Sequence, residues 1–285
     1  MIQDIAPHTL KNSYDPSRRP GPDSLIVMFS DKGMLIKSDP SGEGSRKILP
    51  RLSEFPSKEY VLTFLFDMDE DALFLMEDGC GEEDIPEGYG YLSIREIRKL
   101  TDVSKKSIFE AFTAKQLSAW YSNNRYCGRC GSLTGRSTTE RAIVCPSCGN
   151  TIYPRVVPAV IVAVLDKEND KILLTKYKGR AISYFALVAG FTEIGETLEQ
   201  TVAREVMEET GLHVKNITYY KSQPWGVADD ILTGFYCEVD GDREIRMDEE
   251  ELSVAGWYSR EEVILQPDDL SLTNEMMTNF KKGKI

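Results

Sequence analysis

Histidine is almost missing from this chain of 285 residues, which has only two, His8 and His213. Neither lies in the acid-rich stretch between Gly190 and Leu212, so proton transfer there is expected to fall to carboxylates. Long apolar runs are missing too. The longest, around Val156–Leu165, contains Pro158 and is far shorter than the roughly 20 residues that cross a bilayer, which excludes a spanning helix. The opening MIQDIAPHTL carries an acid and a proline where the apolar part of a secretory signal would stand, so a cytoplasmic protein with no membrane partner is expected. Positive charge is in deficit, with 34 Lys and Arg against 46 Asp and Glu and a net charge of −12. That balance argues against wholesale coating of nucleic acid or of an acidic membrane. What is present, 41% hydrophobic and 28% charged residues, is a globular chain long enough for two domains and a small insert.

The acid-rich stretch reads GFTEIGETLEQTVAREVMEETGL. Glu205, Glu208 and Glu209 stand at i, i+3 and i+4 and share one face of a helix. Like charges at that spacing cost roughly 0.2–0.5 kcal/mol per pair, and a divalent cation is the natural counter-charge for such oxygen donors. Local signals bound the helix. Thr197 is an N-cap with Gln200 completing a capping box, and Gly211 falls where a left-handed C-terminal cap is expected. Leu198, Val202 and Val206 give it an apolar side, and Gly190 and Gly195 make the preceding stretch a tight loop.

Four of the six cysteines form two pairs, Cys127 with Cys130 and Cys145 with Cys148, on the knuckles CGRCG and CPSCG. Four thiolates around a tetrahedral Zn²⁺ fit this spacing; two disulfides are the alternative, disfavoured by a reducing cytoplasm. With four cysteine ligands no coordination position is open for catalysis, so the ion would be structural. Cys80 and Cys237 stand outside this scheme. Around the ribbon Lys115, Arg125, Arg129, Arg136, Arg141 and Arg155 face only Glu140, a local basic excess that is either solvated or meets phosphate, RNA or an acidic partner.

Strand-like runs are expected at Leu25–Phe29, Tyr60–Phe66 and Ala72–Met76, with Asp67–Asp71 as a hairpin turn and loops at Asp15–Pro22 and Asp39–Arg46. A helical stretch carries Ile108, Phe109, Phe112, Leu117 and Trp120. Later strands are expected at Val157–Leu165, Lys171–Lys176, Val214–Lys221, Ile231–Val239 and Leu252–Tyr258, with Ala186–Phe191 leading into the acid-rich stretch, and helices at Arg260–Leu265 and Ser271–Lys281. The expected architecture is α/β: an α/β/α sandwich over 154–285, a zinc ribbon over 123–153 and a small α+β domain over 1–122.

The pattern met by Gly190, Glu196, Arg204, Glu205, Val206, Glu208, Glu209, Gly211 and Leu212 resembles the Nudix box. That resemblance implies a hydrolase of nucleoside diphosphates linked to another moiety, with the α/β/α Nudix fold. It makes Glu205, Glu208 and Glu209 ligands of Mg²⁺ or Mn²⁺, with Glu251 a further one from the acidic run Asp248–Glu251. Arg204 and Glu196 would pair to aim them, and Glu209 is the candidate proton acceptor. The ribbon before the box, with Ser222-Gln223-Pro224-Trp225 after it, is similar to the NADH pyrophosphatase subfamily. The similarity implies cleavage of NAD(H) to NMN(H) and AMP, NAD-capped RNA as a further substrate, and a homodimer. Tyr153 and Phe191 would stack on a base in a shared pocket, and Ser222, Gln223 and Trp225 would line the substrate side. One departure bears on selectivity. The subfamily continues Pro-Phe-Pro-x-Ser, whereas this chain has Gly226-Val227-Ala228-Asp229-Asp230, and Ser271–Asn274 lacks the small residues expected there. Another nucleoside diphosphate derivative, such as ADP-ribose or a dinucleoside polyphosphate, is therefore the alternative substrate, and a non-catalytic zinc-ribbon RNA-binding protein the alternative of another class.

Overall fold

The computed structural model describes residues 1–37, 48–100, 103–179 and 184–285; the loop expected at Asp39–Arg46 lies outside them. The chain forms two compact units, one of residues 3–155 with 226–229, the other of residues 1–2, 156–225 and 230–285.

The first unit begins with β1 (Leu10–Lys11), β2 (Leu25–Val27), β3 (Phe29–Ser30) and β4 (Gly33–Lys37), followed by β5 (Leu62–Met68), β6 (Asp71–Met76) and β7 (Tyr89–Leu92). A four-stranded sheet runs β1-β5-β6-β2, and a three-stranded one β3-β4-β7. The run expected at Leu25–Phe29 is therefore broken at Met28 and shared between two sheets. The β5–β6 hairpin turns where expected, with Asp69 in the left-handed region that Asp tolerates (φ 57°). Ile26, Met28, Leu35, Phe64 and Phe74 pack as its core. A short helix, α1 (Ile94–Ile97), precedes α2 (Lys105–Asn123), which Ser104 caps by accepting the Ser107 N–H. Ile108, Phe109, Phe112, Leu117 and Trp120 of α2 are buried.

The ribbon contributes β8 (Gly135–Arg136), β9 (Ile143–Val144) and β10 (Thr151–Ile152), ordered β10-β9-β8. Its two knuckles are built alike. Gly131 N–H donates to Cys127 O (2.8 Å) and Gly149 N–H to Cys145 O (3.0 Å). Both glycines take positive φ, 75° and 70°, which closes the turn without a Cβ clash.

The second unit contains β11 (Val157–Asp166), β12 (Lys171–Tyr177), β13 (Val188–Phe191), α3 (Leu198–Thr210), β14 (Val214–Trp225), β15 (Asp230–Val239), β16 (Leu252–Ser259) and α4 (Leu272–Lys281). Its sheet runs β14-β15-β11-β12-β16, with β13 also paired to β11. Only the β11–β15 pairing is parallel; the others are antiparallel. Period-two alternation sorts the side chains into two layers. Val160, Val162, Val164 and Leu173 pack with Val202 and Val206 of α3. Their neighbours Ile161, Ala163, Leu165, Ile172 and Leu174 pack with Leu272, Met276, Met277 and Phe280 of α4. The sheet is thus covered by one helix on each face, as the sandwich requires.

The helix expected at Arg260–Leu265 does not form. Turns follow β16 there, and Pro267 disfavours helical backbone just before it, leaving too few residues to nucleate. Val263 is instead drawn into the core and Arg260 reaches Asp170 (2.6 Å).

Candidate active site

The box folds as a loop and helix for local reasons. Thr197 Oγ1 accepts the Gln200 N–H (3.2 Å), and Gln200 Oε1 accepts the Thr197 N–H (2.8 Å). At the other end Gly211 takes a left-handed cap, φ 71°, and its N–H donates to Met207 O (2.9 Å). Because Val202 and Val206 turn into the core, Glu209, three residues after Val206, is drawn in beside them, while Glu208 is carried on the exposed side of α3.

Arg204 organises them. Its Nε and Nη2 donate to the two oxygens of Glu196 (2.6 and 3.0 Å), the pairing expected from the sequence. Nη1 donates to Glu205 Oε1 (2.8 Å) and Glu208 Oε2 (2.9 Å), and Nη2 to the Phe191 carbonyl (2.9 Å). Glu196 also accepts from Glu193 N–H (3.1 Å) and the Thr201 hydroxyl (3.0 Å). The Arg204 guanidinium, with these donors, holds the Glu196 carboxyl down to about 2.

Glu205 and Glu209 are the desolvated members. The Glu205 carboxylate lies against the backbone of Gly190, where a Cβ would stand 1.9 Å from its carboxyl carbon. Burial raises its pKa. Glu209 is 1% exposed, and burial, with the charges of Glu251 and Glu205, pushes its pKa up to about 8 against the opposing hydrogen bonds of Tyr177 and Ala189. Glu208 and Glu251 stay exposed to solvent. Hard oxygen donors whose charged forms are disfavoured by burial suit a hard divalent cation, so the residues fit the metal the box implies. Among the described residues, however, the four cysteines are the one group gathered to within 4.8 Å for metal binding. Glu205 and Glu208 meet on Arg204 Nη1, and Glu209 is held on Tyr177.

Tyr177, at the end of β12, was not among the residues singled out in the sequence. Its hydroxyl lies 3.0 and 3.2 Å from the two oxygens of Glu209. The available signal was parity: 177 shares the sheet face of Leu173, the face that α3 covers.

The substrate-side candidates separate. Phe191 is half exposed at the end of β13, and its carbonyl joins the Arg204 cluster. Ser222 is exposed and Trp225 partly buried on β14. Gln223 is fully buried, donating to Leu270 O (2.7 Å) and accepting the Leu272 N–H (2.7 Å), which ties β14 to the start of α4. Tyr153, in the other unit, is exposed and donates to Glu140 (3.1 Å). In that same unit the divergent segment Gly226–Asp229 packs on α2, where Lys115 Nζ donates to Val227 O (2.8 Å).

In the ribbon, Cys127 Sγ lies 3.7 Å from Cys148 Sγ, and Cys130 Sγ 3.5 Å from Cys145 Sγ. Disulfide sulfurs sit about 2.05 Å apart, whereas Zn–S bonds of about 2.3 Å put tetrahedral thiolates about 3.8 Å apart. The spacing matches a zinc centre, and all four thiols are free. Part of the basic excess is consumed locally. Arg136 pairs with Glu77 and covers the Tyr121 ring (4.9 Å), and Arg141 donates to Leu65 O (2.7 Å). Arg125, Arg129 and Arg155 remain exposed.

Residues 155–280 match the NUDIX domain and residues 122–153 the NADH pyrophosphatase zinc ribbon domain. Among curated proteins, the chain is similar to the NAD-capped RNA hydrolase NudC of Yersinia enterocolitica, 40% identical over 171 residues, which is 60% of this chain and 64% of that protein. It is likewise 40% identical over 171 residues to NudC of Escherichia coli (strain SMS-3-5 / SECEC), covering 65% of it. The similarity thus spans less than two thirds of the length of these relatives. Among solved structures, a NUDIX hydrolase from Nitrosomonas europaea covers 55% of this chain and 91% of its own at 22% identity, with a TM-score of 0.46.

Proposed function

We propose, from the match of residues 155–280 to the NUDIX domain and of residues 122–153 to the NADH pyrophosphatase zinc ribbon domain, that the chain is a Nudix enzyme, a metal-dependent hydrolase of the diphosphate bond of NAD(H), giving NMN(H) and AMP. The observation that carries this reading is the placement of the acids on α3, with Glu205 accepting from Arg204, which also holds Glu196, and Glu209 buried against the Tyr177 hydroxyl. Glu205, Glu208, Glu209 and Glu251 would hold Mg²⁺ or Mn²⁺. The chemistry such an ion would supply there is neutralisation of phosphate charge and a lowered pKa of a bound water. Glu209 accepts the proton of the water that attacks phosphorus, and the bridging oxygen leaves with the second monophosphate. Arg204 and Glu196 fix the loop so that the carboxylates point inward.

The half-exposed rings of Phe191 and Tyr153 support a stacking role on a base, worth roughly 1–3 kcal/mol per base. Ser222 and Trp225 are proposed on the substrate side of β14. Gln223, with its amide already held by two backbone groups, is proposed to hold that strand. A cytoplasmic homodimer, in which Tyr153 lies near the partner's Phe191, and NAD-capped RNA as a further substrate complete the reading. The names of the relatives support the RNA substrate.

The segment Gly226-Val227-Ala228-Asp229-Asp230 favours a second reading, a different nucleoside diphosphate derivative as substrate. Product analysis decides between them. NADH, NAD, ADP-ribose, diadenosine polyphosphates and NAD-capped RNA are offered separately with Mg²⁺ or Mn²⁺, with Glu208→Gln as control. NMN(H) plus AMP, or 5′-monophosphate RNA, is the expected result. Cleavage of ADP-ribose with NAD(H) intact supports the second reading, and no metal-dependent cleavage of any substrate sinks both.

A further inference from the structure

We propose that Tyr177 is a positioning residue of the hydrolytic site, which sets the Glu209 carboxylate for metal binding through its phenolic hydroxyl. The inference rests on the function proposed above and extends it to a residue outside the box.

The argument begins with how β12 and β13 part. Thr175 and Ala186 exchange a pair of backbone hydrogen bonds, each 2.9 Å. Beyond that bridge the strands take other partners: β12 continues along β16, and β13 along β11. The Ala189 N–H donates to the hydroxyl oxygen of Tyr177 (3.0 Å). A phenol has one proton. With its oxygen accepting from Ala189, that proton goes to the nearest acceptor, Glu209, whose oxygens lie 3.0 and 3.2 Å away against 3.4 Å for the Ala189 carbonyl. The hydroxyl rotor is thus set by the backbone, and the backbone in turn sets the carboxylate. Hydrogen bonds to a charged acceptor are about twice as strong as neutral ones.

The same short strand acts on the other acids. Gly190 gives the Glu205 carboxylate its space, and the Phe191 carbonyl receives Arg204, which carries Glu196 and Glu208. Three consecutive residues of β13 therefore index the acids of the box, and position 189 reaches Glu209 both through its own N–H and by way of Tyr177. A ligating carboxylate is commonly oriented by such an outer hydrogen bond, and loss of the bond costs about 10–100-fold in metal affinity or activity.

Removing the hydroxyl in the full chain, by Tyr177→Phe, tests this. Tyr236→Phe is the comparison, because Tyr236 is buried in the same unit but belongs to the opposite core layer and donates to Met276 O (3.4 Å). Mn²⁺ affinity is read by electron paramagnetic resonance without substrate, kcat and KM on whichever diphosphate is cleaved, and Tm for folding. Tyr177→Phe is expected to weaken Mn²⁺ binding and lower kcat about 10-fold or more, with KM unchanged and a Tm no lower than that of Tyr236→Phe. Tyr236→Phe is expected to leave Mn²⁺ affinity and kcat alone. Wild-type Mn²⁺ affinity in Tyr177→Phe overturns the proposal, as does a loss of both parameters matched by Tyr236→Phe. If wild type cleaves no diphosphate, the proposed function fails while the Mn²⁺ comparison still decides the role of Tyr177. Absence of Mn²⁺ binding by wild type itself also overturns it.

Discussion

Gly190 and Glu205 share the space of one side chain. A Cβ at position 190 would stand 1.9 Å from the Glu205 carboxyl carbon and 2.0 and 2.2 Å from its oxygens. The obstructed atoms are the far end of a flexible side chain, so Gly190→Ala can be accommodated by swinging the carboxylate away at little cost in stability. The swing is the damage, because a displacement of about 1 Å in a reacting array can cost about 100-fold. Gly190→Ala is expected to lower kcat/KM for the diphosphate by that order with Tm nearly unchanged. Activity within threefold of wild type would show that the Glu205 position is not needed.

The sulfur spacing in the ribbon leads to a second expectation. Cys127 and Cys145 are buried, and the three two-residue strands around them are too small to bury a core alone; the ion must supply that cohesion. Purified protein is expected to carry one equivalent of zinc. Cys145→Ser should lose it and expose the remaining ribbon thiols to a colorimetric thiol reagent. Full zinc occupancy in Cys145→Ser would rule out four-cysteine ligation.

How much of this was legible beforehand differs by element. The box helix was, because its cap, its apolar side and its acids all lie within one short segment and obey local rules. The sheet layers were legible for the same reason, since alternation along β11 assigns Val160 and Ile161 to opposite faces. Tyr177 was not, because it meets Glu209 across 32 residues of sequence and only strand parity hints at the contact. Gln223 is a different case. Its place in a family motif suggests a ligand contact, while its burial and its two backbone partners support a job inside the fold. Arg136 and Arg141 looked like a free basic surface, but their partners Glu77 and Leu65 lie far away in the chain.

Glu110 gives a pH dependence unrelated to the site. It is 3% exposed on α2, and burial pushes its pKa up to about 7, against the attraction of Lys106 at 3.5 Å. Lys106 keeps two further partners, Asp69 at 3.2 Å and Asp71 at 3.7 Å. The folded pKa lies above the ordinary value of 4.5, so between the two the folded chain holds a proton that the unfolded chain has released. Stability then falls as pH rises through this window and is level above it, by about 1.4 kcal/mol per pH unit at most. Glu110→Gln removes that loss. Measured by urea unfolding, the stability of the variant relative to wild type should rise by about 1–3 kcal/mol from about pH 5 to about pH 8. A difference that stays flat or falls with pH would mean Glu110 remains charged in the fold.

Gln223 separates a structural role from a ligand-touching one by the same logic. Its amide serves one backbone carbonyl and one backbone N–H, at Leu270 and Leu272, where the chain enters α4. Gln223→Ala leaves both groups buried without that partner, and an unsatisfied buried group costs about 1–3 kcal/mol. Since α4 packs on one face of the sheet, loosening its start is expected to lower Tm by several degrees, about 2–4 °C per kcal/mol. The remaining folded enzyme should keep its KM. Gln223→Glu is a sharper version, because its carboxylate can accept the Leu272 N–H but is buried as a charge against the Leu270 carbonyl; it should lower Tm at least as far as Gln223→Ala. A raised KM with unchanged Tm in both variants would reverse the assignment and put Gln223 back among the substrate contacts.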